Sequence, residues 1–94
     1  MVLESKPNWT FLSNHSHVLI FIAKNPEARI RDTAEAVGIT ERFAQKILKD
    51  LEDAGYVKSA RQGRGKSYAV NSGLHFRHPL EDGAEIKKLL EIFK

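Results

Sequence analysis

The chain has no cysteine. That removes disulfides, thiolate metal sites and a cysteine nucleophile together, and it suits a reducing compartment. Long apolar runs are also missing. The longest, Val18 to Ala23, is far below the roughly 20 residues a membrane span needs. The opening MVLESKPNWTF has no basic stretch leading into an apolar one, so no secretory signal and no membrane association are expected. A cytoplasmic location follows as the expectation. Neither sign of charge dominates: 15 Lys and Arg against 12 Asp and Glu leave +3.

Catalytic signatures are missing too. Ser59, Ser67 and Ser72 have no histidine and acid set beside them in sequence, and no glycine-rich loop lies between a strand and a helix to cradle a phosphate. His15 and His17 are two apart, so on a helix they face different ways. His75 and His78 fall in a stretch rich in Asn, Ser, Gly and Pro, which reads as a loop. Neither pair is completed into a metal set. No catalytic residue, metal or cofactor is expected, and the chain is not read as an enzyme.

What is present reads as one domain over residues 1–94, the size at which a modest core is feasible and a partner subunit would enlarge it. Residues 1–12 carry Leu3, Trp9, Phe11 and Leu12 around Pro7, an extended arm whose aromatics are expected to pack on the first or last helix. A first helix is predicted from a Ser13 or Asn14 cap to about Lys24, stopped by Lys-Asn-Pro. Ala28–Arg31 is open between a short strand and a lead-in. A small helix then places Thr33, Ala34 and Val37 on one side and ends at Gly38. The strongest periodicity follows. Thr40 caps a helix in which Ala44, Ile47, Leu48 and Leu51 stand at i, i+3, i+4, i+7, and Gly55 closes it. Its other face shows Arg42, Gln45, Lys46 and Lys49. Tyr56–Ala60 and Lys66–Val70 are β-rich flanks around Arg-Gln-Gly-Arg-Gly, which predicts a hairpin. Its segment from Lys58 to Lys66 holds Arg61 and Arg64 and no acid. Residues 80–94 predict a last amphipathic helix with Ile86, Leu89, Leu90 and Phe93 at the same spacing, weakened at its first turn by Gly83.

Two short amphipathic helices joined by Ala-Val-Gly-Ile-Thr make a helix-turn-helix arrangement. A basic hairpin directly after the second of them adds a wing. The stretch IRDTAEAVGITERFAQKILKDLEDAGYVKSARQGRGKSYAV resembles the winged helix-turn-helix of MarR- and ArsR-type bacterial and archaeal transcriptional regulators. The phrase LEDAGYV and its distance from Gly38-Ile39-Thr40 carry the likeness. The fold class expected is mainly α with a small β-hairpin, a winged helix-turn-helix core over 13–72 with an added C-terminal helix over 80–94. The resemblance implies a cytoplasmic homodimer that binds a roughly palindromic operator. The chain is much shorter than typical MarR proteins and lacks the ArsR-type cysteine site, so no small-molecule effector is assigned.

On this reading Thr40, Arg42, Gln45, Lys46 and Lys49 are the recognition-helix contacts to double-stranded DNA. Arg and Lys suit guanine edges and phosphates, and Gln suits adenine. Arg61, Gln62, Arg64 and Lys66 are the wing contacts, drawn to the negative potential of a narrow minor groove. Ile86, Leu89, Leu90 and Phe93 are the expected dimer interface. The rival reading is a winged-helix protein–protein interaction module, which requires exposed apolar surface on the third helix or the hairpin.

Overall fold

The computed structural model describes residues 8–94, so Leu3 and Pro7 of the predicted arm lie outside the described residues. Helix α1 spans Asn14–Lys24, α2 Ile30–Val37, α3 Glu41–Asp53 and α4 Ile86–Ile92, with strands β1 (Val57–Gln62) and β2 (Gly65–Val70) between α3 and α4. No helix among the described residues is long and apolar enough to cross a membrane.

Two of the helices, α1 and α3, begin on side-chain caps. Ser13 accepts a hydrogen bond from the Ser16 backbone N–H, and Thr40 accepts one from that of Phe43, so each satisfies a donor the helix itself cannot. Between α2 and α3 the chain turns at Gly38, whose φ of 86° is left-handed and costs glycine little. That residue ends α2 and leaves Ile39 and Thr40 to start α3 across a short turn.

The stripe of α3 is buried as its spacing requires: Ala44, Ile47, Leu48 and Leu51 are all inside, and the last three cluster with Val18, Leu19 and Ile22 of α1. Tyr56 and Val57 at the start of the hairpin close the same core. Thr33 is buried in α2, where its hydroxyl donates to the Arg29 carbonyl at 3.2 Å and leaves no orphan donor.

No strand forms at residues 28–31. Instead the Tyr68 N–H donates to the Pro26 carbonyl at 2.8 Å, a single bond along the outer edge of β2. Proline has no N–H to return, so the ladder stops there, and by Ile30 the chain is already helical.

The last helix is shorter than its periodicity suggests. Residues 84–86 run alongside 74–76: the Phe76 N–H donates to Ala84, and the Ile86 N–H donates to Leu74. His75 and Glu85 form an antiparallel bridge. Helix therefore starts only at Ile86, beyond Gly83. Ile86 and Leu89, expected at a dimer interface, are about 5% exposed and pack in the core of their own chain. Leu90 is half-buried, while Phe93 and its neighbour Ile92 are exposed. The arm is corrected as well. Trp9 and Phe11 meet each other edge to face at 5.0 Å and are otherwise open to solvent, whereas Leu12 packs against the core.

Candidate nucleic-acid interface

At 100° per residue, the direction opposite the buried stripe of α3 is occupied by Arg42, Lys46, Lys49 and Asp53. Gln45 lies on one flank and Phe43 and Asp50 on the other. Arg42, Gln45, Lys46 and Lys49 are all exposed, as is Thr40. The predicted residues do share an accessible surface.

That surface is not uniformly positive. Residues 41–53 hold Arg42, Lys46 and Lys49 against Glu41, Asp50, Glu52 and Asp53. Three of the four acids lie in the second half of the helix, and Glu41 opens its first turn. Lys46 reaches Asp50 at 3.2 Å and Lys49 reaches Asp53 at 3.4 Å, each one turn on. With the lysine on the N-terminal side, this is the weaker orientation of the pair, and exposed pairs of this kind contribute little. A competing phosphate can displace either. His15 of α1 also meets Asp50, with Nε2 at 2.9 Å from Oδ2. The hydrogen bond from His15 and that from Lys46 hold the Asp50 carboxyl below the usual carboxylate range.

The hairpin supplies the charge that α3 does not. Its register pairs Arg61 with Lys66 and Gln62 with Gly65 across a two-residue turn, Gly63-Arg64. Gly63 takes φ 59°, the positive angle that primed hairpin turns require at that position. Arg61, Gln62, Arg64 and Lys66 are all exposed. None of the three cations joins a salt bridge among the described residues. Arg61 and Lys66 stand directly opposite on one face, a like-charge arrangement that destabilises a free hairpin.

Period two puts Arg61 and Lys66 on the same face as Ser59 and Tyr68, the face turned to α3. Ser59 donates to a Glu52 carboxylate oxygen at 2.7 Å, which ties the hairpin to the helix. Partial burial, and secondarily the Glu52 charge, push the Tyr68 phenol up. Between the two elements lies a cleft of about 490 Å³ bordered by Gln45, Lys66 and Arg29, with Ile30, Leu48 and Tyr68 in its walls. Arg29, immediately before α2, is a residue that sequence reasoning misses. No local pattern marks it, because only packing brings it beside Gln45 and Lys66. Phe43 is missed as well, since an aromatic in an amphipathic helix reads as core, yet it is 39% exposed.

Among the described residues no group of three or more His, Asp or Glu is placed to hold a metal ion.

A helix-turn-helix followed by a cationic hairpin defines the class. Residues 13–58 match the family described as winged helix-turn-helix DNA-binding, and the helices with the hairpin make a winged-helix fold. Solved structures share the fold. MepR, a transcription regulator of the Staphylococcus aureus multidrug efflux pump MepA, superposes with a TM-score of 0.59 at 18% identity, over 85% of this chain and 53% of that one. Lactococcus lactis ZitR in complex with DNA gives 0.55 at 20% identity, over 76% and 51%. T. potens IscR gives 0.57 at 16% identity, over 86% and 81%. The chain thus spans about half the length of MepR and of ZitR. No curated protein matches its sequence.

Proposed function

We propose that this chain is a homodimeric transcriptional regulator that binds double-stranded DNA sequence-specifically. The observation that carries the reading is the placement of an acid-free cationic hairpin beside the exposed first half of α3 within a winged helix-turn-helix domain. The MepR and ZitR likenesses support it, the second because that relative was captured on DNA.

The charge gradient along α3 favours one docking in this reading. Thr40, Arg42, Gln45 and Lys46 enter the major groove, and Lys49 reaches a phosphate at its edge. Asp50, Glu52 and Asp53 stay outside, because acids opposite phosphates are repelled. This is insertion by the helix's N-terminal residues, the usual mode for a recognition helix. Gln45 accepts and donates across an adenine edge, and Arg42 serves guanine or a phosphate. Arg61, Gln62, Arg64 and Lys66 follow the backbone into the neighbouring minor groove. Arg29 adds a phosphate contact on the Gln45 side. In a two-fold dimer the two copies of α3 sit about 34 Å apart, one turn of the duplex.

The test is fluorescence anisotropy of a labelled random-sequence duplex titrated with protein at several salt concentrations. Binding that weakens steeply with salt is expected, followed by enrichment of a palindromic site from a randomised library. Absence of binding even at low salt refutes the reading.

A further inference from the structure

Phe43 sits where the fold has no use for it. Its side chain is 39% exposed, and among the described residues it does not pack against the core. Its neighbours Arg42, Gln45 and Lys46 are polar and open. Phenylalanine is a mediocre helix former, so neither packing nor propensity calls for it at this position. Its backbone is well fixed nonetheless. It is the third residue of α3, and its N–H donates to the Thr40 hydroxyl oxygen at 3.0 Å. The ring therefore leaves the helix from its first, capped turn. Lys46, one turn on, reaches away from that turn to Asp50 at 3.2 Å.

We propose that Phe43 selects thymine, its ring seating against the 5-methyl group of one thymine in each half-site. This rests on the DNA-binding reading above and adds a base contact that the polar residues of α3 do not make.

The chemistry of the major groove leads to that one partner. The groups that distinguish base edges there are hydrogen-bond donors and acceptors, with a single exception, the thymine methyl. A phenyl ring is neither donor nor acceptor. Set against an exocyclic amine, a carbonyl or a ring nitrogen, it strips water from a polar group and leaves it unpaired, which costs affinity. A phosphate is a worse neighbour for the same reason. Set against a methyl, the ring buries apolar surface on both sides.

The position of Phe43 suits this contact. Phe43 and Gln45 flank the outward, cationic stripe of α3 from opposite sides. A helix that enters by its amino-terminal residues carries both flanks of its first turn past base edges. Two turns further on, the flank of Phe43 bears Asp50, which keeps the rest of that flank away from phosphates. Removing one methyl from a buried apolar contact weakens binding by about fourfold, and two half-sites multiply to about fifteenfold.

The test exchanges thymine for deoxyuridine, which removes the methyl and keeps every hydrogen-bonding group. The palindromic site enriched from a randomised library is remade with deoxyuridine at one symmetric pair of thymines at a time. Each duplex is titrated by fluorescence anisotropy with the full chain and with Phe43→Ala. At one symmetric pair the parent chain is expected to lose about fifteenfold in affinity, and Phe43→Ala to lose little. Phe43→Leu keeps an apolar side chain and is expected to retain the discrimination at that same pair. Phe43→Gln, a polar helix former, is expected to lose it as Phe43→Ala does, so the contact stays testable if the alanine variant folds poorly. Equal losses by parent and variants at every thymine overturn the Phe43 contact and leave DNA binding standing. Indifference of the parent to every thymine methyl does the same. Absence of duplex binding at low salt overturns both readings.

Discussion

Replacing Arg61, Arg64 and Lys66 together with alanine separates the hairpin's role in binding from its role in folding. All three side chains are exposed, and none joins a salt bridge among the described residues. Each cation withdrawn from a phosphate reduces the slope of log affinity against log salt by about 0.9. If all three cations neutralise phosphates, the slope falls by about 2.7. Between 50 and 200 mM salt the triple variant then loses roughly 40-fold less of its affinity than the parent. Stability moves the other way. Arg61 and Lys66 are directly opposed in the register, and a like-charge pair of this kind costs on the order of 0.2–1 kcal/mol. The variant is therefore expected to melt at the same temperature or slightly higher. The assay is anisotropy of a labelled duplex across salt, paired with thermal denaturation followed by circular dichroism. An unchanged salt slope refutes the phosphate role. A fallen melting temperature that tracks the weakened binding refutes the claim that these residues act on DNA rather than on the fold.

Gln45→Ala is expected to change base preference at one operator position, whereas Arg64→Ala weakens binding to all sequences alike; parallel losses across a randomised library would remove that division of labour. Ile47 is fully buried, so Ile47→Ala should cost ~2–5 kcal/mol in urea denaturation, with the lower end marking a site that collapses around the missing methyls. Asp50 has a folded-state pKa below its unfolded value because it accepts hydrogen bonds from His15 and Lys46. Its contribution is present above the ordinary carboxylate value of about 3.9 and is lost as pH falls below that toward the depressed value. Asp50→Asn should therefore flatten the acid limb of the stability profile below pH ~4 and leave the neutral region nearly level. A limb unchanged by the substitution would show that the pair is not formed in solution.

Local chemistry settles a good deal. The Ser13 and Thr40 caps, the left-handed turn at Gly38 and the glycine at the hairpin turn are each a property of one residue and its immediate neighbours, so they are readable without a structure. The α3 stripe is readable for a similar reason, because a period of 3.6 can be satisfied only by an apolar face against something. The cations on α3 and the hairpin are legible as sets flanking those features, and the structure leaves them exposed.

Periodicity does not say what an apolar face meets. The stripe of residues 86–93 reads equally as core or as interface, and packing divides it, with Ile86 and Leu89 inside and Leu90 and Phe93 lining a groove beside α1. Nor does spacing reveal partners distant along the chain. Arg29 comes beside Gln45 and Lys66, and His15 reaches Asp50 thirty-five residues on, only because α1, α2 and the hairpin all pack around α3. The sequence alone determined where α1 and α3 start and stop and which side of each is apolar. Tertiary structure decided which of those sides are already covered and which remain open, because covering a surface depends on residues brought together from far along the chain.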